Sequence, residues 1–262
     1  MALVWAGLMI ICYFIVFFII ATIIKNNSIV DIGWGLGFVV TSWLLMIIYG
    51  FAWEKLVVNV FVSFWGLRLF YHILKRNIFK AEDFRYQNFR KAWGKWVIPR
   101  AFLQVFLLQA LFMFIVGLST IYVNIYGFSQ GMQLSTLGYI GFFGGILIWL
   151  FGYLFEVIGD RQLRIHIANP HKEQKLMTKG LWAYTRHPNY FGEAVLWWGL
   201  ALMVFSGSGV TSFYIWLSPI MITLLLRFVS GVPMLEKRMS KSPGWDDYAH
   251  QTNAFIPWFK KS

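Results

Sequence analysis

Seven stretches, each long and apolar enough to cross a bilayer, constrain this chain more than any other feature of its sequence. They lie near residues 3–24, 33–52, 55–74, 101–124, 136–158, 190–206 and 212–230, and a helix needs about 20 mostly apolar residues to span the hydrocarbon core. Backbone N–H and C=O groups find no water at that depth, so such segments must be helical. Charged residues make up 13% of the 262, about half the share in an ordinary soluble domain, which excludes a water-soluble globule. The first stretch lacks a basic leader and is too long for the apolar core of a signal peptide, so it counts as a true span. Ser206-Gly207-Ser208-Gly209 between the last two spans reads as a tight turn. No longer repeat or low-complexity tract stands out. The expected fold is an all-α integral membrane protein, a seven-transmembrane-helix bundle forming one polytopic domain over residues 1–262.

The formal net charge of +12 has its explanation in this map. Lys25, the block from Lys75 to Arg100, the block from Arg161 to Arg186 and the tail from Lys237 to Lys261 fall on one side, and the opposite loops hold Glu54 and Lys55 and little else. Basic loops stay inside, so the N-terminus is expected outside and the C-terminus in the cytoplasm, in a multi-pass protein of a bacterial inner (plasma) membrane. No nucleic-acid motif accompanies the basic surplus, so nucleic acid is not an expected partner. The single cysteine, Cys12, excludes an intrachain disulfide and any cysteine-based metal site, and no metal is expected.

Ionisable residues inside membrane spans are costly and mark sites or pathways. Asp31 opens the second span, Arg68 and His72 lie one turn apart in the third, Glu156, Asp160 and Arg164 end the fifth, Glu193 starts the sixth and Arg227 closes the seventh. All sit toward the basic side. The i, i+4, i+8 spacing puts Glu156, Asp160 and Arg164 on one helical stripe, which reads equally as an ion-pair ladder at the membrane edge or as part of a polar site. Arg68 with His72 reads first as a snorkelling arginine beside a satisfied histidine. Asp31, an acid just inside an apolar helix, needs a partner.

Two connecting stretches carry further candidates. Lys179 to Glu193 includes Arg186-His187-Pro188-Asn189-Tyr190, with the proline suited to a first helical turn; cations and an amide at a helix N-terminus make a phosphate-binding arrangement, or a basic anchor at the membrane edge. Lys80-Ala-Glu82-Asp83-Phe-Arg85-Tyr86 is charged and aromatic; such a stretch is ordinarily a solvated loop, but it can also close over a pocket.

Taken together, Asp31-Ile-Gly-Trp34-Gly, Trp65-Gly-Leu-Arg68-Leu with His72, Glu82-Asp83-Phe-Arg85-Tyr86, Glu156-x3-Asp160, Thr185-Arg-His-Pro-Asn-Tyr-Phe-Gly-Glu193 with Trp197-Trp198-Gly199, Arg227-Phe-Val-Ser-Gly-Val-Pro233 and Phe255-Ile-Pro-Trp258 resemble the DUF1295 branch of the steroid 5-alpha-reductase family. The resemblance covers nearly the whole chain. It implies a seven-helix oxidoreductase of lipid metabolism that takes a hydride from NADPH and reduces a carbon–carbon double bond in an apolar lipid or steroid-like substrate. It implies a substrate and catalytic half near residues 1–100 and a cofactor-binding half near 136–262, the latter using Glu156, Asp160, Arg164, Arg186, His187, Asn189, Tyr190, Glu193 and Arg227. Glu156 stands where steroid reductases usually carry an asparagine. Their Gln-Glu-Leu-Pro element is absent, and Ile73 rather than tyrosine follows His72, which leaves Asp31, His72 and Tyr86 as the catalytic candidates.

Hydride addition to a conjugated double bond builds negative charge on the carbonyl oxygen, which calls for a donor there and a proton for the neighbouring carbon. Tyr86 or His72 can donate, and Asp31 can orient the donor. No Gly-x-Gly-x-x-Gly follows a strand, so the cofactor would lie in the cytoplasmic mouth of the bundle rather than on a Rossmann domain. The Arg-His-Pro-x-Tyr element is also similar to that of S-adenosylmethionine-dependent isoprenylcysteine and phospholipid methyltransferases. These typically carry paired glutamates after the last span, where Leu235-Glu236-Lys237 supplies one. A transporter or lipid-binding scaffold is the third alternative, disfavoured because the outer halves of the spans contain no ionisable residue.

Overall fold

The structure, a computed structural model, describes residues 1–77, 80–128, 134–170, 175–208 and 210–260, so Gly209 of the expected turn and Lys261 of the basic tail lie outside the described residues. Seven helices are long and apolar enough to cross a membrane, which makes the chain a multi-pass integral membrane protein. They are α1 (Ala2–Ile24), α2 (Ile29–Tyr49), α3 (Trp53–Asn77), α4 (Phe84–Val116), α6 (Thr136–Ala168), α7 (Pro188–Ser208) and α8 (Ser212–Met239). Two short helices complete the set, α5 (Leu118–Tyr126) and α9 (Trp245–Gln251). No strand occurs among the described residues; one isolated bridge joins Thr185 to Asn253.

Two spans reach well beyond the apolar runs. The fourth begins at Phe84 rather than near 101, because the Asp83 side chain accepts the Arg85 N–H at 3.0 Å and caps a helix that the polar residues 84–93 would not announce. The fifth continues to Ala168, so Glu156 and Asp160 lie within the helix body and not at its end. π-helical turns interrupt α4 at Phe102–Leu107 and α8 at Leu225–Val229.

The chain divides into two compact units, Met1–Gln133 with Ser208–Ile215, and Leu134–Gly207 with Trp216–Ser262. In the first, α2 and α3 touch backbone to backbone: a Cβ at Gly35 would stand 2.5 Å from the Gly66 carbonyl oxygen, and one at Gly66 2.6 Å from that of Gly35. Trp65, fully buried, packs edge-on against Phe38 at 5.5 Å. Asn59 and Asn124, both fully buried, exchange amide hydrogen bonds of 3.0 and 2.8 Å and tie α3 to α5. Such a pair satisfies two amides that lipid or apolar packing would leave orphaned. Glu54 and Lys55, read from the sequence as loop charges, are buried caps. Lys55 donates to the Tyr49 and Gly50 carbonyls that end α2, and Glu54 accepts the Phe128 N–H at 3.1 Å.

In the second unit a stripe of small residues sets the geometry. Gly138, Gly145, Gly152 and Gly159 recur at seven-residue intervals along α6, and Gly192, Gly199 and Ser206 do so along α7. Seven residues are two helical turns, so each set lines one face. The faces meet antiparallel. A Cβ at Gly145 would lie 2.7 Å from Met203 N, one at Gly152 2.5 Å from Leu196 N, one at Gly192 2.5 Å from Glu156 N, and one at Gly199 2.5 Å from Trp149 N. Small residues at membrane helix interfaces allow this approach, and van der Waals contact along it drives association where the hydrophobic effect is weak. The same contact carries Glu156 and Asp160 of α6 to the start of α7.

Candidate functional site

In the first unit, a polar cluster straps the start of α2 to the start of α4. Asp31 sits in the first turn of α2. One of its carboxylate oxygens accepts the Tyr86 hydroxyl at 2.8 Å and the other accepts Arg85 Nη2 at 2.7 Å. Arg85 Nε reaches Asp83 at 2.9 Å, and the Asp83 N–H donates to Ser28 Oγ at 2.7 Å. Burial alone would raise the Asp83 carboxyl, but its hydrogen bonds from Arg85 outweigh that and hold it below the ordinary value. Immediately before Asp83, Glu82 accepts the Asn27 N–H at 2.7 Å and two Arg90 donors at 3.0 Å. Tyr86 is buried. Glu82, Asp83, Arg85 and Tyr86 are therefore anchored structure and not a solvated loop, while Lys80, Ala81 and Phe84 are exposed. Asp31 and Tyr86 are brought together, and His72 is half-buried on α3.

In the second unit, the α6–α7 contact sets Asn189 beside Asp160, its Nδ2 donating at 3.0 Å. Glu156 and Glu193 are buried nearby along the same two helices. Arg164 is exposed and forms no ion pair among the described residues, so the expected ladder along α6 does not extend to it. Arg186 is a structural clamp. Its Nε and Nη2 both reach Glu236 at 2.8 Å, its Nη1 donates to the carbonyls of Ala249 and Thr252, and its guanidinium covers the Trp245 ring at 5.5 Å. The tail closes the same knot: the Arg186 N–H donates to the Asn253 carbonyl at 2.8 Å, Thr185 Oγ1 to that of Phe255 at 2.8 Å, and the Trp258 N–H to that of Tyr184 at 3.0 Å. The Tyr248 hydroxyl donates to the Trp182 carbonyl at 2.7 Å, and burial raises its pKa, so it stays protonated.

His187 is fully buried, stacks on Tyr190 with ring centroids 5.6 Å apart, and sets Nε2 3.3 Å from Glu236 Oε1. A carboxylate only accepts, so Nε2 carries the proton, and Nδ1 of the neutral ring is an acceptor. Nδ1 has no donor among the described residues, nor has Asn189 Oδ1. Each is a buried acceptor that an N–H or O–H donor would satisfy.

Residues 17–253 match the family described as a protein of unknown function (DUF1295). The chain belongs to the DUF1295 family. A similar protein, an uncharacterized one from Schizosaccharomyces pombe, is 23% identical over 234 residues, covering 80% of this chain. This chain spans about 65% of that relative's length. No solved structure matches. The DUF1295 match runs from α1 to just past α9 and so includes both polar clusters.

Burial pushes the His187 imidazole below its ordinary pKa of 6.5, against the opposing pull of Glu236 and with help from the Arg186 and Arg227 cations. A base with a depressed folded-state pKa contributes stability that is complete above its unfolded pKa and declines as pH falls toward the folded one. The melting temperature of this DUF1295 protein should therefore drop as pH falls below the ordinary imidazole value of 6.5. His187→Gln should flatten that part of the profile, and an unchanged slope in the variant would refute the assignment. Sequence reading noted Glu236 only as the single glutamate after the last span and did not make it a site residue, yet it anchors both Arg186 and His187.

Proposed function

We propose that this DUF1295 protein is a membrane-embedded NADPH-dependent reductase of a carbon–carbon double bond in an apolar lipid or steroid-like substrate, a member of the wider steroid 5-alpha-reductase family. In this reading it sits in a bacterial inner membrane with the cofactor site facing the cytoplasm. The observation that carries the reading is the pair of donorless buried acceptors, Asn189 Oδ1 and His187 Nδ1, beside the Asp160 and Glu156 carboxyls in an otherwise apolar bundle. A nicotinamide carboxamide and ribose hydroxyls bring the N–H and O–H donors that such acceptors lack, so these residues fit that group. When bound, NADPH supplies the hydride.

The protein's own part is acid chemistry and exclusion of water. Tyr86 holds a proton at its hydroxyl, and Asp31, itself held by Arg85, fixes that hydroxyl in place. A substrate carbonyl competing for the same hydroxyl receives a donor where reduction builds negative charge. The apolar spans keep competing water away.

Thermal stabilisation of the purified protein by NADPH, NADP+, NADH and S-adenosylmethionine, side by side, tests the reading. A ligand at about 100 times its Kd stabilises the folded state by about 2.7 kcal/mol. NADPH should raise the melting temperature, and Asn189→Ala should lose the shift. A shift with S-adenosylmethionine alone would favour a membrane methyltransferase of the isoprenylcysteine or phospholipid type, and no shift with any of the four would overturn both.

A further inference from the structure

A cleft of about 510 Å3 opens within the second unit, walled by Phe191, Val195 and Trp198 of α7, Phe228 of α8, and Phe255 and Ile256 of the tail. This is within the size range of small-ligand pockets. Its lining includes one charged side chain, Arg227. Arg227 forms no hydrogen bond or ion pair among the described residues; its guanidinium lies 5.1 Å from the ring of the adjacent Phe228 and is close enough to His187 to disfavour protonation of that ring. The hydroxyl of Thr223, also in the lining, is already engaged, donating to the Pro219 carbonyl at 2.6 Å and accepting from Trp198 Nε1 at 3.2 Å. A guanidinium held in an apolar wall at membrane depth is expensive unless an anion meets it. The π-helical turn Leu225–Val229 carries it there, and such turns are frequent at functional sites.

A dinucleotide brings several phosphates and sugar hydroxyls, and this lining has too few polar groups to receive them. It suits a ligand with one anionic end and a long apolar body. We propose that the cleft binds a single-chain carboxylic acid amphiphile, with Arg227 taking the carboxylate and the aromatic walls taking the chain. The single guanidinium balances one carboxylate charge and can grip it through two parallel hydrogen bonds. A phosphate monoester carries up to about two negative charges and would leave one uncompensated. The exposed Phe228 and Ile256 put the mouth of the cleft among apolar surface, so the amphiphile enters sideways from the bilayer. This assigns Arg227 to the lipid rather than to the dinucleotide, and, resting on the reductase reading, it names the substrate as a long-chain acid whose double bond is conjugated to a carbonyl within the chain, distinct from the carboxylate that Arg227 holds.

The test uses the full-length protein in an uncharged detergent, with octadecenoate, the matching alcohol and the matching lysophosphatidate each at fixed mole fraction in the micelles. Octadecenoate should bind wild type at least about 10-fold more tightly than the alcohol, as a charge-assisted hydrogen bond requires. Arg227→Leu should bind acid and alcohol equally, and Arg227→Lys should fall between. Equal binding of acid and alcohol by wild type, or undiminished acid binding by Arg227→Leu, overturns the proposal, and tighter binding of the lysophosphatidate overturns the carboxylate assignment. If Arg227→Leu does not fold, the acid–alcohol comparison on wild type decides alone. Acid selectivity without an NADPH shift in the same samples would keep this site and remove the reductase reading; the reverse would do the opposite.

Discussion

Gly192→Val is expected to abolish recovery of folded, monodisperse protein. The new Cβ would stand 2.5 Å from both the Glu156 N and the Gly152 carbonyl oxygen. Those are backbone atoms, so no side chain can swing aside to relieve the clash. The two helices must separate, and the contacts at Gly145, Gly152, Gly159 and Gly199 loosen with them. Ordinary overpacking costs about 1–3 kcal/mol, and here the strain spreads along a whole interface. Gly144→Ala is the matched control. It lies on the facing helix α6 with nothing within 4 Å of its Cβ position, and should be neutral or slightly stabilising, since alanine exceeds glycine in helices by about 0.5–1 kcal/mol. Melting temperatures in detergent decide the matter; a Gly192→Val protein as stable as Gly144→Ala would show that α6 and α7 do not meet at this stripe.

Tyr86→Phe carries the second large effect. It leaves the Arg85–Asp31 pair of 2.7 Å intact and removes only the hydroxyl that Asp31 holds at 2.8 Å. If that hydroxyl meets the substrate carbonyl, kcat for double-bond reduction should fall about 10²- to 10³-fold. Stabilisation by NADPH should be unchanged, because the Asn189 acceptor is untouched. Asp31→Asn differs in kind. It removes the charge that faces Arg85, whose side chain is 31% exposed, so water partly compensates, and a loss of stability of about 1–3 kcal/mol is expected. A Tyr86→Phe enzyme with full kcat would remove the tyrosine from the chemistry, and the cluster would stand as a structural strap.

The seven spans were readable from local hydropathy, because the cost of exposing the backbone to lipid adds up residue by residue along one segment. The glycine stripe was equally present in the sequence, at seven-residue spacing along residues 138–159 and 192–206, but only the approach of two helices gives that spacing a meaning. The start of α4 was hidden, since its residues are polar and its formation depends on Asp83 as a cap and on contacts with Asn27, Ser28 and Asp31. Asp31 and Tyr86 were chosen as candidates for their chemistry; that they share a hydrogen bond across 55 positions could not be read from either neighbourhood.

Arg186 illustrates the division most clearly. A cation before a helix-opening proline is a phosphate-binding signal as far as sequence reaches, yet its guanidinium is turned to Glu236, Ala249 and Thr252. Arg227, by contrast, had only the ambiguous status of a basic residue at the end of a span, and packing leaves it without an anion among the described residues in an apolar cleft. Residue type and local pattern settle which segments enter the membrane and which groups are chemically capable. Whether a charge is consumed by the fold or left for a ligand depends on partners tens of residues away, and the energy of an ion pair is set by distance and burial, which only the folded chain defines.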